Sequence, residues 1–335
     1  MGVIIKQIEY FLPEKIITNL DIQNEHPEWD IQKVAEKSGV YERHIASISE
    51  TAFNLACKAV EKLFESGVIA INDIQGIVFC TQSPDFIMPS NAFLIHKHFG
   101  LPANVWAFDY NLACSGYIYG LAISRGMLET NMASNILLIT ADTYSKYINA
   151  KDRSTNVLFG DGAAVSLICK EENAGIIDVQ LASAGSEYES FYIPSGGCRS
   201  PKNDTTKIIS KDYSGNERTL ENIHMNGFAV WKFISKTVPD QINDLLTRNN
   251  LTVKEVNFFG FHQASKLTLD SLIKAMKIDP EKVFMNLDKV GNTVSASIPI
   301  ALKDAELKGK LKKGDLVLLS GFGVGLSWGS LIMKY

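Results

Sequence analysis

Three polar side chains of this 335-residue chain have types and positions that suit acyl transfer through a thioester. Cys114 opens a segment of small residues, Asn292 opens a similar segment later in the chain, and His262 ends the apolar run that precedes Asn292. A thiol at a helix N-terminus is favoured as thiolate, and a nearby imidazole can take its proton. An asparagine beside them can donate a hydrogen bond to a developing oxyanion.

The elements that must position these residues repeat along the chain. Apolar strand-like runs alternate with helical patterns, which predicts an α/β protein with buried strands. GIVFCTQS and FFGFHQAS each end in a polar turn, at Gln82 and Gln263, and the next strands begin near Ile136 and Leu316. This order predicts two duplicated halves. We expect an N-terminal half over 1–172 that carries the cysteine, and a C-terminal half over 173–335 that carries the histidine and asparagine.

Composition limits the classes of function. The chain has 33 basic and 37 acidic residues, a net charge of −4, which argues against nucleic acid as a partner. It has no apolar run long enough to span a membrane and no N-terminal signal pattern. Five scattered cysteines indicate reduced thiols and a cytoplasmic location, and no motif suggests a metal site.

Several motifs, in order, resemble ketoacyl synthase III, that is 3-oxoacyl-(acyl carrier protein) synthase III, of the thiolase-fold superfamily. They are SGVYERHIA, NLACSGYIYGL, LFGDGAA, GFHQAS, VGNTVSASIP and the terminal GFGVGLSWGS, and together they span nearly the whole chain. The resemblance implies a thiolase-like five-layered αβαβα fold and a homodimer. It also implies a catalytic triad of Cys114, His262 and Asn292.

The resemblance implies a two-stage reaction that initiates fatty acid synthesis. Cys114 takes an acyl group from a donor thioester, and the amides of Cys114 and Val324 hold the oxyanion. Malonyl-(acyl carrier protein) then loses carbon dioxide, His262 and Asn292 stabilise the enolate, and its carbon attacks the acyl-cysteine. Decarboxylation drives the reaction, so no cofactor is expected. The partners are acyl carrier protein and acyl-CoA or another acyl thioester.

The resemblance also assigns residues to substrate contacts. Met88, before a Pro-Ser pair, is expected to close the acyl pocket across the dimer interface. Where the family usually shows Asn, Leu and Arg after its His-Gln-Ala, this chain has Ser, Lys and Leu. Carrier proteins are acidic, so basic residues are expected at the site entrance. The residues predicted to bind the donor or the carrier are Lys37, Arg153, Lys232, Ser265, Lys266 and Lys274.

Other interpretations use the same residues. A specialised homologue could make a surface-glycan acyl group or a secondary metabolite. An acyltransferase or thioesterase could use Cys114 without forming a carbon–carbon bond, although a second hydrogen-bond donor such as Asn292 argues for enolate chemistry. A non-catalytic scaffold is the third interpretation. The polar segment 195–222 predicts either a loop at the active site or partner surface, or a surface insertion.

Overall fold

The fold is described by a computed structural model that covers residues 2–172 and 175–335. Nine longer strands form two sheets, and six short strands form separate two-stranded ladders. In chain order, the strands are β1 (Gly2–Phe11), β2 (Ile16–Thr18), β3 (Glu42–His44), β4 (Gly76–Cys80), β5 (Trp106–Tyr110), β6 (Asn135–Asp142), β7 (Gly162–Glu171), β8 (Gly175–Ser183), β9 (Phe191–Tyr192), β10 (Ser210–Lys211), β11 (Glu217–Arg218), β12 (His224–Met225), β13 (Phe258–Phe261), β14 (Leu316–Gly323) and β15 (Ser327–Lys334).

The helices differ widely in length. None of those in the described residues is both long enough and apolar enough to cross a membrane. In chain order, they are α1 (Asn19–Glu25), α2 (Ile31–Ser38), α3 (Ala52–Glu65), α4 (Asn91–His98), α5 (Gly116–Glu129), α6 (Arg153–Asn156), α7 (Gly227–Arg248), α8 (Lys266–Met276), α9 (Leu287–Val290) and α10 (Ser297–Leu307).

The two sheets repeat one topology. The first sheet has the order β1-β7-β6-β4-β5, and the second has the order β8-β15-β14-β13. In both sheets the first three strands pair antiparallel and the next pair is parallel. A single parallel bridge between Phe259 and Val283 stands where β5 lies in the first sheet. The predicted duplication is therefore visible in the strand order and directions.

Helices separate and cover the sheets in five layers. α5 and α10 each contact both sheets and form the central layer, whereas α3 and α4 cover the first sheet. α7 covers the second sheet, and α8 packs beside α7 with its side chains in the same core. The central core is continuous, because buried side chains of the two central helices pack with both sheets. Examples are Ile118 and Leu302 from the helices, Leu138 from the first sheet and Leu319 from the second. The predicted five-layered thiolase-like fold is confirmed.

The predicted boundary between the halves falls at residues 172 and 173, and residue 173 lies outside the described residues. The strands of the first sheet lie before this point and those of the second lie after it. The boundary itself remains a prediction. The predicted helix starts were wrong by a few residues, since α5 begins at Gly116, two residues after Cys114, and α10 begins at Ser297, five residues after Asn292.

Glycines bring the central helix α5 close to the first sheet. A Cβ on Gly120 would lie 2.4 Å from both Cδ1 of Leu138 and the hydroxyl of Tyr110. A Cβ on Gly116 would lie 2.3 Å from Sγ of Cys80. Gly126, on the same helix, has no atom within 4 Å of its Cβ position. The sequence pattern of small residues thus sets the thickness of the central layer.

We expect Gly120→Ala to lower the free energy of unfolding by about 1–3 kcal/mol, because the added methyl group overpacks a rigid interior. Gly126→Ala on the same helix is the matched control. It should raise that free energy by about 0.4–1 kcal/mol, because it restricts the unfolded chain without a clash. Urea unfolding curves of the two variants measure both effects. Equal changes in both variants would contradict this account of the helix packing.

Candidate active site

One buried cavity brings together the three residues that the sequence singled out. It has a volume of about 190 Å³, and Cys114, His262 and Asn292 all line it. Cys114 precedes α5, His262 follows β13, and Asn292 follows α9. None of the three is more than 3% exposed. We call this space the Cys114 cavity, and its other walls include Phe159, Phe191, Trp231, Phe322 and Gly323.

The loop of Cys114 is held against the backbone of β14. The amide of Gly116 donates to the carbonyl of Ala113 at 2.7 Å, which makes a tight turn around the cysteine. A Cβ on Gly323 would lie 3.0 Å from Sγ of Cys114, and a Cβ on Gly321 would lie 2.7 Å from its carbonyl oxygen. The backbone of β14 thus approaches the cysteine closely at these two glycines, and any larger residue there would displace the nucleophile.

Burial makes Cys114 a neutral thiol, contrary to the sequence expectation of a thiolate. Burial raises the pKa of Cys114 above its ordinary value, and the nearby carboxyl group of Asp142 raises it further. The prediction considered only the N-terminus of α5, whose effect is modest and local. Loss of hydration in the enclosed cavity outweighs it. The thiol must therefore give up its proton to a neighbour when it reacts.

His262 is neutral and is oriented by a serine. Burial lowers the pKa of His262 to about 3, so the imidazole carries one proton at neutral pH. Its Nδ1 lies 2.6 Å from Oγ of Ser297, the first residue of α10. The serine hydroxyl can accept from Nδ1 or donate to it, so it is compatible with a proton on either ring nitrogen. Nε2 can therefore act as acceptor or as donor.

Asn292 presents its amide nitrogen because its oxygen is already used. The backbone N–H of Val294 donates to Oδ1 of Asn292 at 2.9 Å. Among the described residues, Nδ2 has one long contact, 3.5 Å to the carbonyl of Ala264. Val294 has a φ of 55°, a left-handed conformation that is costly for a β-branched residue. This turn delays the start of α10 and directs the asparagine into the cavity.

Asp142 is a buried carboxyl group beside the site that sequence reasoning missed. It accepts hydrogen bonds from the backbone of Gln82 at 2.8 Å and from the hydroxyl of Ser295 at 2.5 Å. Burial raises the pKa of Asp142 to about 7, although these hydrogen bonds oppose the rise. Asp142 ends β6 in the first half and Ser295 belongs to the second. The pair therefore joins the two halves next to Cys114.

Val324, the predicted second oxyanion donor, follows β14 in the turn to β15. The hydroxyl of Ser327 donates to the Val324 carbonyl at 2.7 Å and lies 2.7 Å from the hydroxyl of Ser115, which follows Cys114. The two serines thus tie this turn to the nucleophile's loop. Within residues 2–172 and 175–335, the backbone N–H groups of Cys114 and Val324 donate to no other residue.

A second cavity, of about 300 Å³, adjoins the Cys114 cavity at Phe191, which lines both. Val324 and Ile223 also line it, and both pack in the buried cluster that contains Cys114. We call it the tyrosine cavity, because Tyr144, Tyr147, Tyr188 and Tyr192 line it. Met88 does not line it within its own chain. That side chain is 80% exposed, on a loop with the exposed Phe86 and Ile87.

A surface groove leads to the Cys114 cavity from the side of α2 and α6. It has a volume of about 600 Å³ and shares Leu158, Ser265 and Leu267 with that cavity. The predicted donor residues Lys37 and Arg153 line this groove, and Lys33 joins them. Among the described residues, no carboxylate lies within 4 Å of these three cations. Asp30 also lines the groove, so its rim carries three cations and one carboxylate. We call this space the donor groove and its three cations the cationic rim.

The other predicted contact residues lie near this entrance. Lys232 is exposed on α7, whose neighbouring Val230 and Trp231 line the Cys114 cavity. Lys274 is exposed on α8, and Lys266, at the start of that helix, pairs with Asp270. The charge of Lys266 is thus partly used within its own helix.

The polar segment 195–222 is fixed to α6 by a buried ion pair. Nε of Arg218 donates to Asp152 at 2.6 Å, and the same guanidinium group contacts Asp212. The residues that flank the segment, Ile193 and Ile223, line the tyrosine cavity. The segment therefore braces one wall of that cavity.

Comparison with known proteins decides the family. Residues 108–185 match the family model for 3-oxoacyl-(acyl carrier protein) synthase III, and residues 246–335 match its C-terminal model. The chain is 38% identical over 329 residues to beta-ketoacyl-(acyl carrier protein) synthase III of Caldanaerobacter subterraneus, covering 97% of this chain and 95% of the relative. The chain belongs to the 3-oxoacyl-(acyl carrier protein) synthase III family. The family prediction is confirmed.

Further relatives of the family agree. The corresponding synthase of Clostridioides difficile is 35% identical over 328 residues, with 97% of this chain and 96% of the relative covered. A crystal structure of a 3-oxoacyl-(acyl carrier protein) synthase III matches with a TM-score of 0.98 at 36% identity, and both chains are fully covered. The synthase III of Aquifex aeolicus matches with a TM-score of 0.87 at 30% identity, again over both full chains.

The raised pKa of Asp142 predicts a pH effect on stability. Its folded pKa is about 7 against an ordinary value of 3.8, so the folded state holds the proton more tightly than the unfolded state. The free energy of unfolding, relative to Asp142→Asn, should therefore fall as pH rises from about 4 to about 7, by up to about 4 kcal/mol. Urea unfolding across this range measures the difference.

The control for this experiment is the fully exposed Asp204, replaced by Asn. Its stability curve should run parallel to that of the unaltered protein. A constant difference between the unaltered protein and Asp142→Asn over the same range would show that Asp142 does not titrate as described.

Proposed function

We propose that the protein catalyses decarboxylative Claisen condensation of an acyl thioester with malonyl-(acyl carrier protein), giving a 3-oxoacyl product and initiating fatty acid synthesis. The observation that carries this proposal is the shared cavity of Cys114, His262 and Asn292, in which one thiol faces two neutral hydrogen-bonding side chains. The relatives bear the name of beta-ketoacyl-(acyl carrier protein) synthase III. The proposed reaction uses no cofactor, because loss of carbon dioxide drives it.

The first proposed stage transfers the acyl group to sulfur. Nε2 of His262 accepts the proton of the Cys114 thiol while Nδ1–H donates to Ser297, and the sulfur attacks the donor carbonyl. The free amides of Cys114 and Val324 are the proposed oxyanion donors. The tetrahedral intermediate expels the donor thiolate, which takes the proton back from His262. The result is an acyl-cysteine and a free thiol.

The second proposed stage forms the carbon–carbon bond. The malonyl thioester loses carbon dioxide, and the electron pair of the broken bond forms an enolate. Before this stage His262 exchanges its Nδ1 proton for one on Nε2 through solvent. Nδ2 of Asn292 and Nε2–H of His262 then donate to the enolate oxygen, while Ser297 donates to Nδ1. The enolate carbon attacks the acyl-cysteine, the Cys114 sulfur leaves as a thiolate, and a proton taken up from solvent restores the neutral thiol. Stabilisation by two neutral donors suits an enolate, because a charged donor would protonate it.

The donor and the subunit partner are also proposals. We infer that the cationic rim of the donor groove, formed by Lys33, Lys37 and Arg153, binds the phosphates of acyl-CoA. We infer a homodimer, because Phe86, Ile87 and Met88 form an exposed apolar loop that a second copy would cover. Its Met88 would then close the partner's acyl pocket. The five unpaired cysteines support a reducing, cytoplasmic location.

A specialised homologue, active outside primary fatty acid synthesis, is the second candidate. The polar lining of the tyrosine cavity favours it, because a plain alkyl chain gains nothing from those hydroxyl groups. An acyltransferase or thioesterase without carbon–carbon bond formation has no use for the directed amide of Asn292. Incubation with malonyl carrier protein and a panel of acyl thioesters, followed by mass spectrometry of the products, separates these functions.

Replacing Asn292 should separate the two stages. Asn292→Ala should still form the acyl-cysteine, yet release carbon dioxide from malonyl carrier protein about 10²–10³ times more slowly, because one enolate donor is lost. Intact-mass analysis measures acylation, and radiolabelled malonyl carrier protein measures decarboxylation. Cys114→Ala is the control, and it should show no acylation at all. Acylation of that variant, or unchanged decarboxylation by Asn292→Ala, would overturn these roles.

Carrier binding should depend on the lysines beside the cavity. We expect the double variant Lys232→Glu, Lys274→Glu to raise KM for malonyl carrier protein about tenfold at low salt, and less at high salt, because exposed charges are screened. Acylation by a small thioester should change little. The matched control is Lys254→Glu, Lys312→Glu, since these exposed lysines precede β13 and β14 at the opposite edge of the sheet. An equal effect of both variants would refute local docking.

A further inference from the structure

The tyrosine cavity, beside the Cys114 cavity, combines apolar walls with several hydrogen-bonding side chains. Eleven residues line it, and six of them bring hydrogen-bonding side chains: Gln82, Asn111, Tyr144, Tyr147, Tyr188 and Tyr192. A cavity for a plain alkyl chain needs no such groups, and removing water from them costs free energy unless the ligand replaces the lost hydrogen bonds. The side chains that line the cavity therefore restrict which acyl groups can bind there favourably.

Apolar side chains of this lining lie close to the nucleophile, beside one tyrosine whose hydroxyl group is already bonded. Phe191 lines both cavities, and Ile223 and Tyr144 are buried in the same cluster as Cys114. Val324 follows Gly323, whose backbone lies against the cysteine. Tyr188 and Asn111 are exposed and mark the outer end. A chain that leaves Cys114 thus passes these side chains before it reaches the exposed end of the cavity.

Some of the polar groups satisfy one another. Tyr144 donates to Oε1 of Gln82, and Nε2 of Gln82 donates to Oδ1 of Asn111 at 2.8 Å. Tyr188 donates to its neighbour Glu189 at 3.1 Å. In the described part of the chain, the hydroxyl groups of the half-buried Tyr147 and Tyr192 have no hydrogen-bond partner. Two phenol groups are thus free to bind a ligand.

The kinds of side chain that line the cavity also restrict the charge of the ligand that it can bind. Among the described residues, the lining includes no lysine, arginine, histidine, aspartate or glutamate. An acyl group that ends in a carboxylate or an ammonium would lose its hydration without a counter-ion. A hydroxyl group, in contrast, both donates and accepts, as a phenol does. Resting on the proposed function, we propose that the acyl group transferred to Cys114 carries a hydroxyl group that Tyr147 and Tyr192 bind.

The same groups discriminate against alkyl chains of equal size. A methyl group in the place of the hydroxyl would cover the two phenols without replacing their bonds to water. A site built to bind a hydroxyl group therefore rejects the analogue that lacks it, whereas an apolar site discriminates weakly in the reverse direction. The test varies the carbon that carries the hydroxyl group by using more than one chain length.

The experiment compares matched thioesters of N-acetylcysteamine, which need neither the donor groove nor a carrier. One pair is 3-hydroxybutanoyl, as each enantiomer, against 3-methylbutanoyl; the other is 6-hydroxyhexanoyl against heptanoyl. Acylation of Cys114 is followed by intact mass, and condensation is then started with malonyl carrier protein. We expect at least one hydroxylated member to acylate with a kcat/KM about tenfold or more above its partner.

Removal of the two phenol hydroxyls tests the assignment. In the double variant Tyr147→Phe, Tyr192→Phe, the ratio of kcat/KM between members of the preferred pair should fall to about one. Tyr213→Phe, at a fully exposed tyrosine, should keep the original ratio. A ratio that survives in the double variant would overturn the proposal.

The remaining outcomes separate this proposal from the proposed function. If alkyl members acylate Cys114 and condense at least as well as every hydroxylated member, the hydroxyacyl proposal is wrong and the condensation stands. If no thioester acylates Cys114, the proposed function fails, and the hydroxyacyl proposal fails with it. If hydroxylated members acylate preferentially but no condensation follows, the cavity assignment stands and the condensation is refuted.

Discussion

The contact between the backbone of β14 and the loop of Cys114 sets the geometry of the rest of the site. Gly321 and Gly323 leave no room for a side chain between strand and loop. Because β14 is an interior strand of the second sheet, it also fixes β13, and the amide of His262 donates to the carbonyl of Ser320 on β14. One close approach thus places a nucleophile from the first half beside an imidazole from the second, without any direct bond between the two side chains.

Burial gives this site its chemical character. The thiol, the imidazole and the amide are all neutral at rest, and the neighbouring carboxyl group of Asp142 is held by a serine and a backbone amide. A cavity without a fixed ion pair can hold an uncharged thioester and still stabilise a transient negative charge by oriented dipoles. The low polarity that suppresses the thiolate also strengthens those hydrogen bonds once charge develops.

Local residue patterns and the order of motifs along the chain were enough to predict the architecture and the family. Repeated apolar runs and small-residue helices gave the duplicated architecture, and the family motifs gave the family. The sequence could not show contacts between distant residues. Ser297 on His262, Ser295 on Asp142 and Ser327 on Ser115 are hydrogen bonds across 35, 153 and 212 residues. In the sequence, a serine in a small-residue helix indicates only close helix packing. Its hydrogen-bond partner is seen in the folded structure.

Two errors of prediction have physical causes. The helix after Asn292 starts late because a left-handed Val294 and a short 3-10 turn precede it, a conformation that valine rarely adopts and that sequence patterns do not suggest. The ionisation of Cys114 was wrong because a helix terminus is visible in the sequence, whereas the depth of burial is not. Both errors concern residues at the active site. There, packing around the cavity determines the backbone conformation and the ionisation state more strongly than the local sequence does.

The walls of the tyrosine cavity come largely from outside the two sheets. Tyr188, Tyr192 and Ile223 belong to the connection between β8 and α7, which Arg218 ties to α6 rather than to the core. The nucleophile and its glycines, in contrast, are enclosed by strands and central helices. Substitutions in these peripheral residues can therefore reshape the cavity while the strands and central helices keep Cys114 and its glycines in place. Substrate range and catalytic competence become separately evolvable traits of one polypeptide.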